Sequence, residues 1–193
     1  MLLFREPSFS RIVSRILRVD YAGEYGAIRI YGAQIFVARR FHPAVVPFLV
    51  ETVAHERRHA ATFRELMWPR GTRPCRAMPV WGMGGTLLGL LTGFLGVNAI
   101  MICTEAVERT VHAHLNKQLA FLGERDTVLS DAIRAVRDEE VGHHDHARGQ
   151  RTSFGPAARA LDAFVAGTTW LLIWCSTYGA LTRMSSKLDS ECL

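Results

Sequence analysis

The sequence predicts an all-α protein, and three observations carry that prediction: its composition, its helical punctuation and a repeated set of metal-ligand residue types. The chain of 193 residues is 49% hydrophobic and 21% charged, which suits one domain, 1–193, with a substantial core. Proline and glycine interrupt long helical segments rather than short alternating strands. The predicted helices cover about 10–40, 47–67, 80–121, 127–149 and 157–183.

The first two predicted helices form a hairpin. The first helix ends at His42-Pro43, because the residue before a proline disfavours the helical conformation, and the second begins at Pro47, since proline suits a first helical turn. The link between them is short, so we expect the two helices to be antiparallel neighbours. A longer crossover begins near Trp68.

The third and fourth predicted helices form a second hairpin, separated at Gly123, and Gly155-Pro156 precedes the fifth helix. The repeated parts of the two hairpins cover about 18–67 and 102–149. Two hairpins joined by one long crossover make a ferritin-like four-helix bundle. The fold class that we predict is this bundle with additional apolar, membrane-associating helices.

Four glutamates and two histidines recur at the same spacing in both hairpins. In each half a lone glutamate is followed 32 positions later by a Glu-x-x-His motif, and the halves are offset by 84 positions. The six residues are Glu24, Glu56 and His59 in the first half and Glu108, Glu140 and His143 in the second. The same offset aligns Gln34 with Gln118, which indicates a duplicated helical hairpin.

These six residue types at this spacing predict a carboxylate-bridged site for two metal ions. Residues three apart on a helix share a face, so each Glu-x-x-His directs a carboxylate and an imidazole the same way. Glu24 and Glu108 would bridge or cap the metals, and two divalent ions would balance the four carboxylates. Oxygen and imidazole ligands suit iron or manganese. A single Glu-x-x-His is more often a solvated helix face, but six residues in register favour the metal site.

The four cysteines favour neither a zinc site nor an oxidising compartment. Cys75, Cys103, Cys175 and Cys192 contain no Cys-x-x-Cys pair and no zinc spacing. The apolar start Met1–Phe4 is too short for a secretory signal, so we expect a bacterial-type cytoplasmic chain.

Two further side chains are expected near the ligands. Tyr31 lies seven residues after Glu24, and His112 lies four residues after Glu108, each on the ligand face of its helix. Either residue can act beside the ligands or in a redox relay, and either can be a core group with a satisfied hydrogen bond.

Two uncharged segments, 77–104 and 163–182, are long enough to cross a bilayer core of about 20 apolar residues. The first is rich in glycine and runs within one turn of Glu105 and Glu108, which we expect at the metals. We therefore predict helices that bury one face in the bundle and dip the other into a membrane surface. A core helix, or a contact between copies of the chain in a homo-oligomer, is the alternative. The amphipathic aromatic residues Trp81, Trp170, Trp174 and Tyr178 favour the membrane surface.

The charge agrees with a membrane partner. The net charge is +5 with a pI near 9.4, and arginines concentrate at 5–18 and 70–76. Such patches attract anionic phospholipids. A nucleic-acid partner is not expected, because the arginines border apolar helices and no nucleic-acid motif is present.

Three segments closely resemble the demethoxyubiquinone hydroxylase family. They are RVDYAGEYGA at 18–27 with Tyr31 and Gln34, the residues around Cys103-Thr104 and 106–108, and RDEEVGHHD at 137–145. The resemblance covers nearly the whole chain from about residue 15. It implies a ferritin-like di-iron monooxygenase that uses O2 to hydroxylate the ring of a polyprenylated demethoxy-quinone in ubiquinone biosynthesis, on the cytoplasmic face of the bacterial inner membrane.

The resemblance also implies site residues and partners. Carried over position by position, it makes Glu24, Glu56, His59, Glu108, Glu140 and His143 the ligands of two iron ions. An external reductant, with NADH among the candidates, and a ubiquinone-biosynthesis complex or lipid-binding accessory protein are the implied partners. One departure is the stretch Ala113-His114-Leu115, where members of the family often have His-His-Tyr, so no role of that tyrosine transfers. As a hypothesis, a cleft between 80–102 and 170–178 admits the lipid tail while the head reaches Glu108.

Three alternatives use the same residues. A ferritin-like peroxidase or iron-handling protein has the same ligands but does not need two uncharged segments. A di-iron hydroxylase of another lipid or of a tRNA base, and a membrane module with purely structural carboxylates, are the others. No Gly-x-Gly-x-x-Gly sequence is present, so a Rossmann-type dinucleotide site is not expected.

Overall fold

The computed structural model describes residues 7–177, and within that range all regular structure is helical. The long helices are α1 Pro7–Phe41, α2 Val46–Met67, α3 Met78–Leu95, α4 Val97–Leu122, α5 Thr127–Gln150 and α6 Pro156–Ser176. Short 3-10 turns occupy Pro43–Val45 and Trp68–Arg70. The predicted all-α class is confirmed. The predicted fifth helix corresponds to α6, and its positions beyond 177, with Tyr178 and Cys192, lie outside the described residues.

Helices α1, α2, α4 and α5 form the bundle, as two hairpins. α1 packs along α2, α4 packs along α5, and α2 also contacts α5 across the bundle. The arrangement is that of a ferritin-like bundle. Asp126 begins α5 by accepting a hydrogen bond from the backbone N–H of Leu129 at 3.3 Å, which satisfies one free donor of the first turn.

The core has two apolar clusters with a polar layer between them. On each bundle helix the residues seven before and seven after the candidate glutamate are buried, and one belongs to each cluster. Leu17, Phe63, Leu115 and Ile133 lie in one cluster, and Tyr31, Leu49, Met101 and Ala147 lie in the other. Seven residues are about two helical turns, or about 10 Å. The four glutamates are therefore placed midway between two packed apolar layers.

The predicted helix over 80–121 is wrong as a single element. Gly96 has φ of 100°, a conformation that side chains rarely adopt, and it ends α3 and begins α4. The uncharged segment 77–104 thus divides into two parts with different surroundings. α3 leaves Leu87 and Phe94 more than half exposed, whereas the first turns of α4, including Ile100, are buried.

The two additional helices pack on different hairpins. α3 is part of the crossover and lies against α1, and α6 lies mainly against α4. The approach of α3 to α1 is close: a Cβ on Gly85 would lie 2.5 Å from the carbonyl oxygen of Gly26, and one on Gly89 would lie 2.2 Å from that of Ile30. Glycine is needed at both positions because backbone occupies the space of a side chain.

Candidate metal centre

The structure brings together all six residues that the sequence predicts as ligands, one glutamate or Glu-x-x-His from each bundle helix, and all six are buried. They form two groups that can each hold a metal ion, and within each group the ligand atoms lie within 4.8 Å of one another. One group is Glu24, Glu56, His59 and Glu140, and the other is Glu56, Glu108, Glu140 and His143.

The two groups share Glu56 and Glu140. The shared carboxylates therefore come from the Glu-x-x-His motifs, one from each hairpin. Glu24 and Glu108 each belong to a single group. The sequence left open whether these two glutamates bridge or cap, and membership of a single group corresponds to capping. Glu105, which we expected at the metals, belongs to neither group. Its carboxylate instead accepts a hydrogen bond from Arg151 at 2.6 Å.

The first imidazole is held between the carboxylates and the surface. His59 Nδ1 lies 3.0 Å from a Glu140 oxygen and 3.6 Å from a Glu24 oxygen. Its other ring nitrogen, Nε2, lies 3.2 Å from Glu139, which also pairs with Arg58. Nδ1 is thus free to face the centre while Nε2 is held from outside.

The second imidazole repeats this arrangement with a different outer partner. His143 Nδ1 lies 3.2 Å from Glu140 and 3.6 Å from Glu56, and Nε2 lies 3.0 Å from Nδ1 of His55. His55 and Glu139 are not found by sequence reasoning, because each contact crosses from α2 to α5. A spacing rule reports only neighbours on one helix.

Burial and mutual repulsion dominate the electrostatics of the glutamates. Burial, followed by the charge of Glu140, raises the pKa of both Glu56 and Glu108 well above the usual value. Burial also opposes the charged forms of Glu140 and His59, but the hydrogen-bonding contacts between the histidines and the carboxylates outweigh it. They lower the pKa of Glu140 and raise that of His59 to about 10.

The donor set fits a pair of divalent cations. Among the described residues, Glu56 Oε1 and His59 Nδ1 are buried without an aligned hydrogen-bond partner, although both point within their ligand groups. Buried polar atoms are normally satisfied, so each is an atom that a bound cation would satisfy, with His59 losing its Nδ1 proton when the cation binds. Four carboxylates and two imidazoles are typical ligands of iron or manganese rather than of a thiol-seeking metal.

Of the two side chains expected beside the ligands, Tyr31 contacts a candidate ligand and His112 does not. The Tyr31 hydroxyl donates a short hydrogen bond to Glu108 Oε1, across from α1 to α4. Burial, and then the charge of Glu108, raises the pKa of this phenol well above its usual value. His112 does not join the centre: its ring bonds to Asn116 on the surface of α4.

An apolar cavity of about 400 Å³ opens beside the centre. The four ligand carboxylates contribute to its wall, and apolar side chains of α3 and α6, such as Leu88, Leu91 and Phe164, form most of the rest. This agrees with the predicted cleft that reaches Glu108. Trp170 and Trp174 of that prediction are half exposed instead, and they stack on each other.

The fold and this site define a ferritin-like helical bundle with two buried groups of carboxylates and histidines that can each hold a metal ion. The profile of the family described as "Ubiquinone biosynthesis protein COQ7" matches residues 11–176. The chain belongs to this family, and it is a hydroxylase of ubiquinone biosynthesis. The resemblance seen in the sequence is thereby confirmed.

Individual relatives support the assignment over most of the chain. The "3-demethoxyubiquinol 3-hydroxylase" of Rhodospirillum rubrum is 38% identical over 89% of this chain and 80% of its own length. The human "NADPH-dependent 3-demethoxyubiquinone 3-hydroxylase, mitochondrial" is 38% identical over 85% of this chain and 76% of its own. The "5-demethoxyubiquinone hydroxylase, mitochondrial" of Saccharomyces cerevisiae is 34% identical over 70% and 64%.

Proposed function

We propose that the six ligand residues hold two iron ions and that the chain uses O2 to hydroxylate the ring of a polyprenylated demethoxy-quinol or quinone. The observation that carries the proposal is the pair of buried ligand groups that share Glu56 and Glu140 at the end of an apolar cavity. The names of the relatives support the class of substrate.

The residues around the ions would hold their geometry. When bound, a pair of reduced iron ions supplies the activation of dioxygen. Glu56 and Glu140 would help to hold both ions, and Glu24 and Glu108 would each help to hold one. Glu139 and His55 fix the ring planes of His59 and His143, and Tyr31 restrains Glu108.

The cavity would position the substrate. Its apolar walls suit an isoprenoid tail, and a ring that enters it ends beside carboxylates and away from bulk water. Trp81 at its edge is buried and donates a hydrogen bond from its indole N–H to Ser176 at 2.9 Å, which joins α3 to α6. This bond keeps the two helices in place on either side of the cavity.

The exposed apolar faces of α3 and α6 would place the enzyme on the cytoplasmic face of the inner membrane, where its substrate resides. Within residues 7–177, α3 is the one helix long and apolar enough to cross a membrane by length and composition. Side chains that are at least half exposed on these helices include Met83, Leu87, Phe94, Trp170 and Leu171. Such a surface suits insertion to the depth of the headgroups.

Electrons would come from an external reductant. NADPH-dependence is part of the names of the mammalian relatives, and NADH remains a candidate donor for this chain. A lipid-binding accessory protein or a biosynthetic complex would deliver the quinone.

The test is the quinone profile, by mass spectrometry, of a ubiquinone-making host that lacks its own hydroxylase. The unmutated chain is expected to remove the demethoxy intermediate and restore ubiquinone, and Glu56→Ala is expected to do neither. Glu65→Ala, an exposed glutamate on the same helix, is the matched control and should behave as the unmutated chain. Persistence of the intermediate beside a folded, iron-loaded protein would contradict the proposal and favour another lipid or a peroxidase activity.

A further inference from the structure

A second polar cluster lies beside the metal centre and takes no part in it. Asp20 of α1 and His114 and Gln118 of α4 are 6%, 7% and 0% exposed. Apart from the ligand carboxylates, Asp20 and His114 are the ionisable side chains that line the apolar cavity within the described residues. Asp20 precedes Glu24 by one helical turn, about 6 Å along α1.

The hydrogen bonds of Gln118 determine where His114 carries its proton. The amide nitrogen of Gln118 lies 2.6 Å from Asp20 Oδ1 and 2.8 Å from His114 Nε2. An amide nitrogen has two hydrogens to donate and no lone pair to offer, so both neighbours are acceptors. His114 Nε2 is therefore unprotonated, and the proton of the neutral ring is on Nδ1.

The ring is held neutral by its surroundings. Burial, followed by the charge of Lys117, lowers the pKa of His114 to about 4. Asp20 Oδ1 is 3.8 Å from Nε2, too far for a hydrogen bond, and the amide of Gln118 lies between them. The neutral tautomer with a proton on Nδ1 is thus the one this environment selects.

The Nδ1 proton of His114 makes no hydrogen bond to the described residues. Within the described part of the chain, His114 Nδ1 is buried and has no hydrogen-bond partner, and the same is true of Asp20 Oδ2 and Gln118 Oε1. A buried polar atom without a hydrogen-bond partner is unfavourable, whether it donates or accepts. Three such atoms occur in this cluster, two of them on the cavity-lining residues Asp20 and His114, and they indicate a ligand that brings polar atoms of its own.

We propose that His114 donates a hydrogen bond from Nδ1 to a ring oxygen of the quinone, and that Gln118 and Asp20 are positioning residues that hold the imidazole in this tautomer. The inference rests on the proposed function, since it names the contact by which the same cavity orients its substrate. The oxygen-bearing ring would then lie within a helical turn of Glu24, while the tail follows the apolar wall.

The experiment measures dissociation constants by calorimetry with the full-length, iron-loaded protein and two ligands. One is a short-tailed methoxy-methyl-benzoquinone, and the other is a benzene with the same tail and no ring oxygen. His114→Leu is expected to weaken binding of the quinone about tenfold, the effect of one net hydrogen bond, and to leave the hydrocarbon within about twofold. His114→Asn, which retains a donor near Nδ1, should recover most of the loss.

Gln118→Met tests the tautomer with little change of volume. Without the amide donor at Nε2 the ring proton is no longer directed to Nδ1, so quinone binding should weaken, though less than in His114→Leu, and hydrocarbon binding should stay within about twofold. His112→Leu, a surface change on the same helix, is the control and should leave both constants unchanged. Equal weakening of both ligands in the variants, or no change for either, would overturn the inference. If the unmutated protein binds no quinone, the proposed function itself is wrong, which separates the two failures.

Discussion

The two hairpins have the same ligands and different surroundings. Each supplies one lone glutamate and one Glu-x-x-His, and each contributes one shared carboxylate. Seven residues after the lone glutamate, however, the first hairpin has Tyr31 and the second has Leu115. α3 lies against α1 with backbone in contact at glycines, whereas Gly167 of α6 has no such close neighbour. The two hairpins therefore match at the candidate ligands and differ in the helix that packs beside each of them.

The largest expected effects come from replacing single candidate ligands, because some belong to both groups and others to one. Glu56→Ala and Glu140→Ala each remove a carboxylate from both groups, so both metal equivalents should be lost. Glu24→Ala and Glu108→Ala remove one ligand from one group and should leave close to one equivalent. Metal analysis after dialysis measures the stoichiometry, and hydroxylation should fall more than about 100-fold in the shared-ligand variants, beyond the effect of outer-sphere changes. Equal stoichiometry in all four variants would contradict the division into shared and capping ligands.

Removal of the metal should reveal a strong pH dependence of stability. The pKa values of Glu56 and Glu108 are raised, and that of His59 is raised to about 10, so above pH ~6.5 the folded protein holds more protons than the unfolded chain. Stability of the metal-free protein should therefore decrease as pH rises from about 6.5 toward 10, by about 1.4 kcal/mol per pH unit for each excess proton.

The predicted decrease in stability begins at about pH 6.5, because below this pH other groups make stability increase as pH rises. His114, with its pKa lowered to about 4, makes stability increase with pH between about 4 and 6.5, and Glu140 does so below its usual pKa. Thermal melts of the chelator-treated protein give the slope. Glu56→Gln and Glu108→Gln, one in each hairpin, should each flatten it, and a slope unchanged in both would contradict the assignment.

The next effect tests the glycine contact that distinguishes the first hairpin. Gly89→Ala would place a Cβ 2.2 Å from the carbonyl oxygen of Ile30, so α3 must move away from α1. We expect a loss of about 2 kcal/mol in unfolding free energy, since overpacking exceeds the gain in helix propensity of at most about 1 kcal/mol. Gly84→Ala, with nothing within 4 Å, is the control and should be neutral or stabilising. Equal melting temperatures of the two variants would contradict the prediction that Gly89 allows the close approach of α3 to α1.

The smallest expected effect concerns Tyr31. Tyr31→Phe leaves Glu108 without the hydroxyl that donates to it, and we expect the affinity of the second metal group to fall about tenfold while the first group is unaffected. Competition with a chelator separates the two affinities. Tyr21→Phe, a partly buried tyrosine on the same helix, is the control. Weakening of both groups alike would show that the hydroxyl does not act through Glu108.

Much of the candidate metal centre was predictable, because its residues recur at regular helical spacing along the sequence. The repeat of Glu24 and Glu56-x-x-His59 at an offset of 84 gave all six candidate ligands, and each of them is buried. The apolar residues seven positions before and after each glutamate show the same regularity. By contrast, Glu105 was wrongly placed at the metals because it lies one turn from Glu108, and helical spacing does not report its partner Arg151.

The sequence by itself determined the helical class, the two hairpins and the set of candidate ligands, because proline, glycine and side-chain spacing act over a few residues of one chain segment. Only the tertiary structure decided that Glu56 and Glu140 are the shared carboxylates, that Gly96 divides the long apolar segment, and that Gln118 joins Asp20 to His114. These features depend on the relative rotation and height of neighbouring helices. Packing between helices sets both quantities, and no spacing along a single helix contains them.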